Sequence, residues 1–125
     1  MRYGMVIDLA RCNGCEACVV ACKEENLTPP GVKWNRLYDV EGGRFPNVQR
    51  VFLPRACMQC ADPPCVAACP TGASYQAEKG LVLVDEGRCI GCKACMLACP
   101  YNAREYYEHE AEYYPGYDEP ESYRL

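Results

Sequence analysis

The sequence predicts a small α+β fold of short helices and β-hairpins. Three observations predict it. Twelve cysteines stand in 125 residues, in three sets of four. The first and third sets repeat each other at an offset of 77 residues. Turn formers and prolines bracket the sets and leave no room for long elements.

The first set is Cys12, Cys15, Cys18 and Cys22, spaced C-x2-C-x2-C-x3-C. The second is Cys57, Cys60, Cys65 and Cys69, spaced C-x2-C-x4-C-x3-C and followed by Pro70. The third is Cys89, Cys92, Cys95 and Cys99, with the spacing of the first and followed by Pro100. Seven of the eleven positions from Cys12 to Cys22 match Cys89 to Cys99, including Gly14/Gly91, Ala17/Ala94 and Ala21/Ala98. Asp8/Asp85 and Arg11/Arg88 extend the match upstream. The second and third sets share their exits, Cys69-Pro70-Thr71-Gly72-Ala73 and Cys99-Pro100-Tyr101-Asn102-Ala103.

Each unit reads as strand, Cys loop and short helix. Met5-Val6-Ile7 precedes the first loop and Leu81-Val82-Leu83-Val84 the third; both are β-like. Cys18/Cys22, Cys65/Cys69 and Cys95/Cys99 are i, i+4 pairs, expected on one face of a helix. Pro70 and Pro100 end the later two helices, whereas Lys23-Glu24-Glu25-Asn26 can extend the first. Gly72 and Asn102 suit a left-handed turn after a helix. Residues 73–76 and 80–85 read as a hairpin. Residues 27–56 read as a connecting insertion, with Val51-Phe52-Leu53 a candidate strand and Trp34 a packing residue. The expected organisation is therefore residues 1–26 for the first Cys motif, 27–56 for the insertion, 57–103 for a two-cluster module and 104–125 for an acidic, Tyr-rich tail.

Composition excludes several classes. No apolar run approaches the ~18–20 residues that span a bilayer. The N-terminus carries no export signal of the chain's own. A net charge of -4 argues against nucleic acid as a partner. Residues 1–100 balance at +1 and residues 101–125 at -5, and seven of the ten tyrosines lie at or after Tyr101. His109, in that tail, reads as a solvated residue. Six disulfides would suit a secreted chain but give no reason for the repeated triple spacing. Structural zinc uses two separated C-x2-C pairs, leaving the middle Cys of each run surplus. Attached haem needs C-x-x-C-H, and Glu16, Ala61 and Lys93 follow the C-x-x-C pairs instead.

A [4Fe–4S] cluster explains the spacing. It presents four irons to four thiolates, and a C-x2-C-x2-C loop wraps three of them. Gly14 and Gly91 let the backbone come close to sulfur. The run C-x2-C-x2-C-x3-C-P is the bacterial ferredoxin spacing, in which the fourth Cys ligates the other cluster of two. Arg11, Lys23, Arg88 and Lys93 flank the cysteines, where positive charge would raise a cluster's potential or serve as ordinary surface charge. No residue set resembles a nucleophile–base pair, so the chain is not expected to be an enzyme by itself.

On these motifs the chain resembles the iron–sulfur subunit of the dimethyl sulfoxide, polysulfide and arsenate reductase type of molybdopterin oxidoreductase. The resemblance runs from the Met-Val-Ile-Asp start through Pro29-Pro30-Gly31 to Asn102. It implies a ferredoxin-like [4Fe–4S] module with a pseudo-twofold repeat. It implies electron transfer between a molybdopterin catalytic subunit and an integral membrane quinone-reactive subunit. A free polyferredoxin and a zinc-stabilised interaction module are the alternatives. Carried over residue by residue, it implies one cluster on Cys57, Cys60, Cys65 and Cys99, and another on Cys89, Cys92, Cys95 and Cys69. Two clusters are thus expected, with a third open to Cys12, Cys15, Cys18 and Cys22. In the family the first set pairs with a fourth Cys motif, which this sequence lacks. The first set could use Cys22 or a non-Cys ligand, borrow one from another chain, or belong to a longer subunit of which this is a piece; the last is the expectation. The complex would be membrane-associated, on the cytoplasmic face or on the periplasmic face by co-export with a partner.

Overall fold

In the computed structural model, residues 2–107 are described. They divide into two compact units, one of Met1–Val6 with Cys57–Tyr106 and one containing Ile7–Ala56. Most of the acidic tail, including His109, lies outside the described residues.

The Ile7–Ala56 unit opens with a 3-10 turn at Leu9–Arg11, capped where the Asp8 carboxylate accepts from the Ala10 N–H at 3.0 Å. The Cys loop follows and feeds α1, Ala17–Glu25. This helix contains the two alanines and the Lys-Glu-Glu run, all good helix formers. It ends at Asn26, whose side-chain amide donates to the Cys22 carbonyl at 2.8 Å, alongside the Asn26 backbone N–H at 3.2 Å. Leu27 then turns left-handed, with φ 46°, and Pro29-Pro30 forbids continuation. The Lys23 ammonium ties this exit down. It donates to the carbonyls of Thr28, Pro29 and Val32 and to the Thr28 hydroxyl at 2.8–3.1 Å. Thr28, at 1% exposure, is the most buried side chain named in this segment.

The insertion is half strand rather than plain connection. β1, Arg36–Arg44, pairs antiparallel with β2, Asn47–Arg55, from Arg36↔Arg55 to Arg44↔Asn47. Phe45 and Pro46 form the two-residue turn, with Pro46 in the cis form at the third turn position, as in a type VI turn. Gly42 and Gly43 sit inside β1. Gly43 is left-handed, and a Cβ on it would run into the Asn47 carbonyl. Arg50 pairs with Asp39 across the ribbon and lies over the Phe52 ring at 5.1 Å. Trp34 is 42% exposed, too open for the packing role expected of it.

In the other unit, α2 spans Pro64–Ala67, with proline at its first position, where no N–H is needed. β3, Ser74–Gln76, and β4, Val82–Val84, pair antiparallel as the expected hairpin. α3 spans Ala94–Ala98. Cys69 and Cys99 therefore fall just beyond their helices instead of on them. Cys99 is extended, with φ -81° and ψ 110°. The ring of Pro100 forces this, because it excludes helical backbone from the preceding residue. Gly72 and Asn102 are left-handed, at φ 67° and 49°.

Met5-Val6-Ile7 is not a strand. No second strand lies beside it, and all three side chains are exposed. Tyr3 instead bonds the Lys79 carbonyl through its N–H at 3.3 Å, and Arg2 donates to the Gln59 carbonyl at 3.0 Å. The sequence repeat does persist in local backbone. Asp8 and Asp85 precede equivalent 3-10 turns, and Cys12 and Cys89 close them at ψ 123° and 122°.

Only Val19, Val32, Cys65, Ala73 and Val82 are buried apolar residues among those described. That is a thin core for about a hundred residues, and one of the five is a thiol.

Candidate iron–sulfur sites

Two cavities open in the unit that contains Cys57–Tyr106. One, of about 340 Å³ of atom-free space including open solvent, is lined by Cys57, Cys60 and Cys65 together with Cys99. The other, of about 530 Å³ on the same measure, is lined by Cys89, Cys92 and Cys95 together with Cys69. Each cavity thus takes three cysteines from one motif and the fourth from the other. Among the described residues, no three of His, Cys, Asp or Glu converge as they would around a single metal ion. The thiols surround a space instead of meeting at a point, a donor set that fits a multi-iron cluster.

The loops owe their shape to left-handed residues. In the third motif these are Gly91 and Lys93, at φ 68° and 62°; in the first, Gly14 and Glu16, at 76° and 57°; in the second, Gln59 at 47°. Such reversals can turn successive backbone N–H groups to one side, the arrangement that cradles anions. Gly14 and Gly91 are also packed over. A Cβ on Gly14 would meet the Phe52 ring at 2.6 Å, and one on Gly91 the Tyr106 hydroxyl at 2.8 Å. Gly14→Ala is therefore expected to cost about 1–3 kcal/mol, from left-handed strain and displacement of Phe52. A denaturant titration of the cluster-loaded protein measures it. Pairing it with Phe52→Ala should remove the clash and leave the strain.

The fourth cysteine of every motif receives hydrogen bonds. The Ser74 N–H donates to Cys69 Sγ at 3.3 Å, and the Thr71 hydroxyl lies 3.7 Å away. The Ala103 N–H donates to Cys99 Sγ at 3.4 Å. Asn26 Nδ2 lies 3.7 Å from Cys22 Sγ. The Ser74 N–H chiefly, with help from Thr71 and Ala73, lowers the Cys69 thiol to about 7, close to the thiolate form that iron takes up. Burial pushes the Cys22 thiol up, against the Asn35 N–H and the Asn26 amide.

The first set stays within the Ile7–Ala56 unit. Cys15 and Cys18 are exposed and Cys12 and Cys22 half-buried. Of the basic residues singled out in the sequence, Lys23, Arg88 and Lys93 turn to local bracing. Arg88 donates to the Thr71 carbonyl at 3.0 Å, and Lys93 lies 4.4 Å from the Tyr106 ring centroid.

Arg104 was missed, because it was assigned to the tail. It lines both cavities, and its Nη2 donates to Cys65 Sγ at 3.1 Å. Burial would lower its pKa, but the thiols of Cys65, Cys95 and Cys57 raise it overall.

A family model described as "4Fe-4S dicluster domain" matches residues 48–114, and a second of the same description matches residues 11–73. This protein belongs to the 4Fe-4S dicluster family. The two matches together cover all three motifs of this dicluster protein, and with the twelve cysteines they support [4Fe–4S] clusters as its cofactor. Its relatives include named reductase subunits, one of them an iron–sulfur subunit, in keeping with the family the motifs resemble. It is 51% identical over 106 residues to a subunit of the selenate reductase of Mesobacillus selenatarsenatis, covering 85% of this chain and 36% of the relative. It is 50% identical over 101 residues to the arsenate respiratory reductase iron–sulfur subunit of a Shewanella species, covering 81% and 43%. A subunit of the anaerobic dimethyl sulfoxide reductase of Escherichia coli is 42% identical over 115 residues, covering 86% and 56%. The dicluster chain thus spans roughly a third to just over half of the length of these relatives. No helix among its described residues is long and apolar enough to cross a membrane.

Proposed function

We propose that this chain relays electrons within a reductase complex, between a molybdopterin catalytic subunit and a membrane quinone-reactive subunit. One [4Fe–4S] cluster is held by Cys57, Cys60, Cys65 and Cys99, and a second by Cys89, Cys92, Cys95 and Cys69. The observation that carries the reading is the crossed lining of the two cavities, three cysteines from one motif and one from the other. The relatives' names support the reductase setting.

A [4Fe–4S] cluster accepts and releases single electrons, with a potential set by charge, hydrogen bonds to sulfur and exposure. The chain's residues do the rest. The thiolates bind. The N–H groups of Ser74 and Ala103 stabilise negative sulfur at the fourth positions. The left-handed loops hold the first three thiols of each motif around the cavity. Cys12, Cys15, Cys18 and Cys22 form a third site, supported by the same loop dihedrals and the same amide-to-sulfur approach at the fourth Cys. Its ligand set is completed by Cys22 or by a group from a further segment or chain. The complex is membrane-associated through its partner, and the face is set by that partner.

The test is iron and acid-labile sulfide per chain, with EPR of the reduced protein, purified without oxygen. About eight irons per chain correspond to two clusters, and about twelve to a loaded first set as well. A colourless protein containing zinc and no sulfide overturns the proposal.

A further inference from the structure

Arg104 stands five residues past Cys99, beyond every motif that the spacing identifies. Among the described residues it is the one basic side chain that lines both cavities. Its guanidinium is half-buried and donates to Cys65 Sγ at 3.1 Å, on the first cavity. The other charges near the cysteines are placed differently. Arg88 is committed to the Thr71 carbonyl, and Lys93 and the acidic Glu105 line the second cavity only, where Glu105 opposes part of the positive charge and makes the smaller effect the one expected there.

We propose that Arg104 is a potential-setting residue shared by the two cluster sites, holding both reduction potentials up and that of the Cys65 site more. The inference rests on the reading that these cavities hold [4Fe–4S] clusters. Its physical basis is direct. One-electron reduction adds a negative charge to the site, and a fixed positive charge in a partly desolvated position favours that product. A charged donor on a ligand sulfur acts in the same direction. At the Cys65 site Arg104 supplies both the charge and the hydrogen bond. At the Cys95 site it supplies the charge alone. An arginine serves here because it cannot be deprotonated and spreads its donors in a plane, so one group can address two sites.

A purely structural role is the competing account, in which Arg104 fastens the segment after α3 to the body of the unit. The two accounts differ in what Arg104→Gln and Arg104→Lys do to potential. The experiment is an EPR-monitored redox titration of the purified, cluster-loaded protein, with iron per chain measured alongside. Arg104→Gln should keep its iron and shift both sites toward the oxidised form. At fixed ambient potential the reduced-to-oxidised ratio should fall about tenfold at the Cys65 site, which is 59 mV for one electron, and by less at the other. Arg104→Lys retains charge but loses the planar fork, so it should restore the Cys95 site more fully than the Cys65 site. Unchanged potentials in iron-replete Arg104→Gln overturn the proposal. So does loss of iron from both variants, which would mark Arg104 as structural. A wild-type protein without iron or EPR signals would instead bring down the underlying reading, and iron content alone distinguishes that case.

Discussion

Cys99→Ser is expected to remove the cluster of the first cavity and to spare that of the second, although Cys99 belongs by sequence to the third motif. Cys99 lines the cavity of Cys57, Cys60 and Cys65, while Cys89, Cys92 and Cys95 line the cavity of Cys69. About four irons per chain should be lost, together with one of the EPR signals of the reduced protein. Cys69→Ser should remove the other signal. The pair makes a strict test. If each motif served its own cluster, the two variants would exchange their effects. The substitution keeps the shape of the side chain and weakens only its affinity for iron, so a change confined to one signal reports ligation and not collapse.

The second large effect is on stability. Stripping the iron with a chelator should unfold the unit of Cys57–Tyr106 or leave it loosely packed. The buried apolar set there is Cys65, Ala73 and Val82. Three small side chains cannot offset the conformational entropy of some fifty ordered residues at about 1–2 kcal/mol each. Metal binding acts as folding free energy in such proteins, and structural zinc sites supply about 10–16 kcal/mol in small peptides. The cluster-free chain should therefore lose its cooperative thermal transition and its slow amide exchange at β3 and β4. A native-like melt after complete removal of iron would contradict this account.

How much of this was legible in the sequence depended on which force shaped each part. The Cys loops were readable because thiolate spacing is imposed by the cofactor, and Gly14 and Gly91 sit where the loop demands left-handed backbone. The β3–β4 hairpin was readable from Leu81-Val82-Leu83-Val84 and the turn residues before it. Of the β1–β2 ribbon only Val51-Phe52-Leu53, inside β2, was readable. Gly42 and Gly43 broke its alternation, and its pairing is held by cross-strand contacts such as Arg50 with Asp39, which leave no local pattern. Met5-Val6-Ile7 misled in the opposite way. Its propensity is β-like, but propensity without a neighbouring strand forms no ladder. Cys69 and Cys99 sat one step off the expected helix face because each precedes a proline. Arg104 escaped because its role depends on the segment after α3 folding back along both cavities, a long-range event that no spacing records.

The crossed arrangement of the cysteines has a consequence for the chain as a thread. If, as proposed, Cys57 and Cys99 share one cofactor and Cys69 and Cys89 the other, the polypeptide is fastened across itself twice. The inner fastening closes over the β3–β4 hairpin and the outer one encloses both motifs. A break in the backbone between the strands, around Lys79 and Gly80, would leave two pieces that remain one object. Neither piece would own a complete set of ligands, so neither could keep its cofactor once parted. Integrity of this unit then resides in its metal-bridged loops more than in the continuity of its backbone.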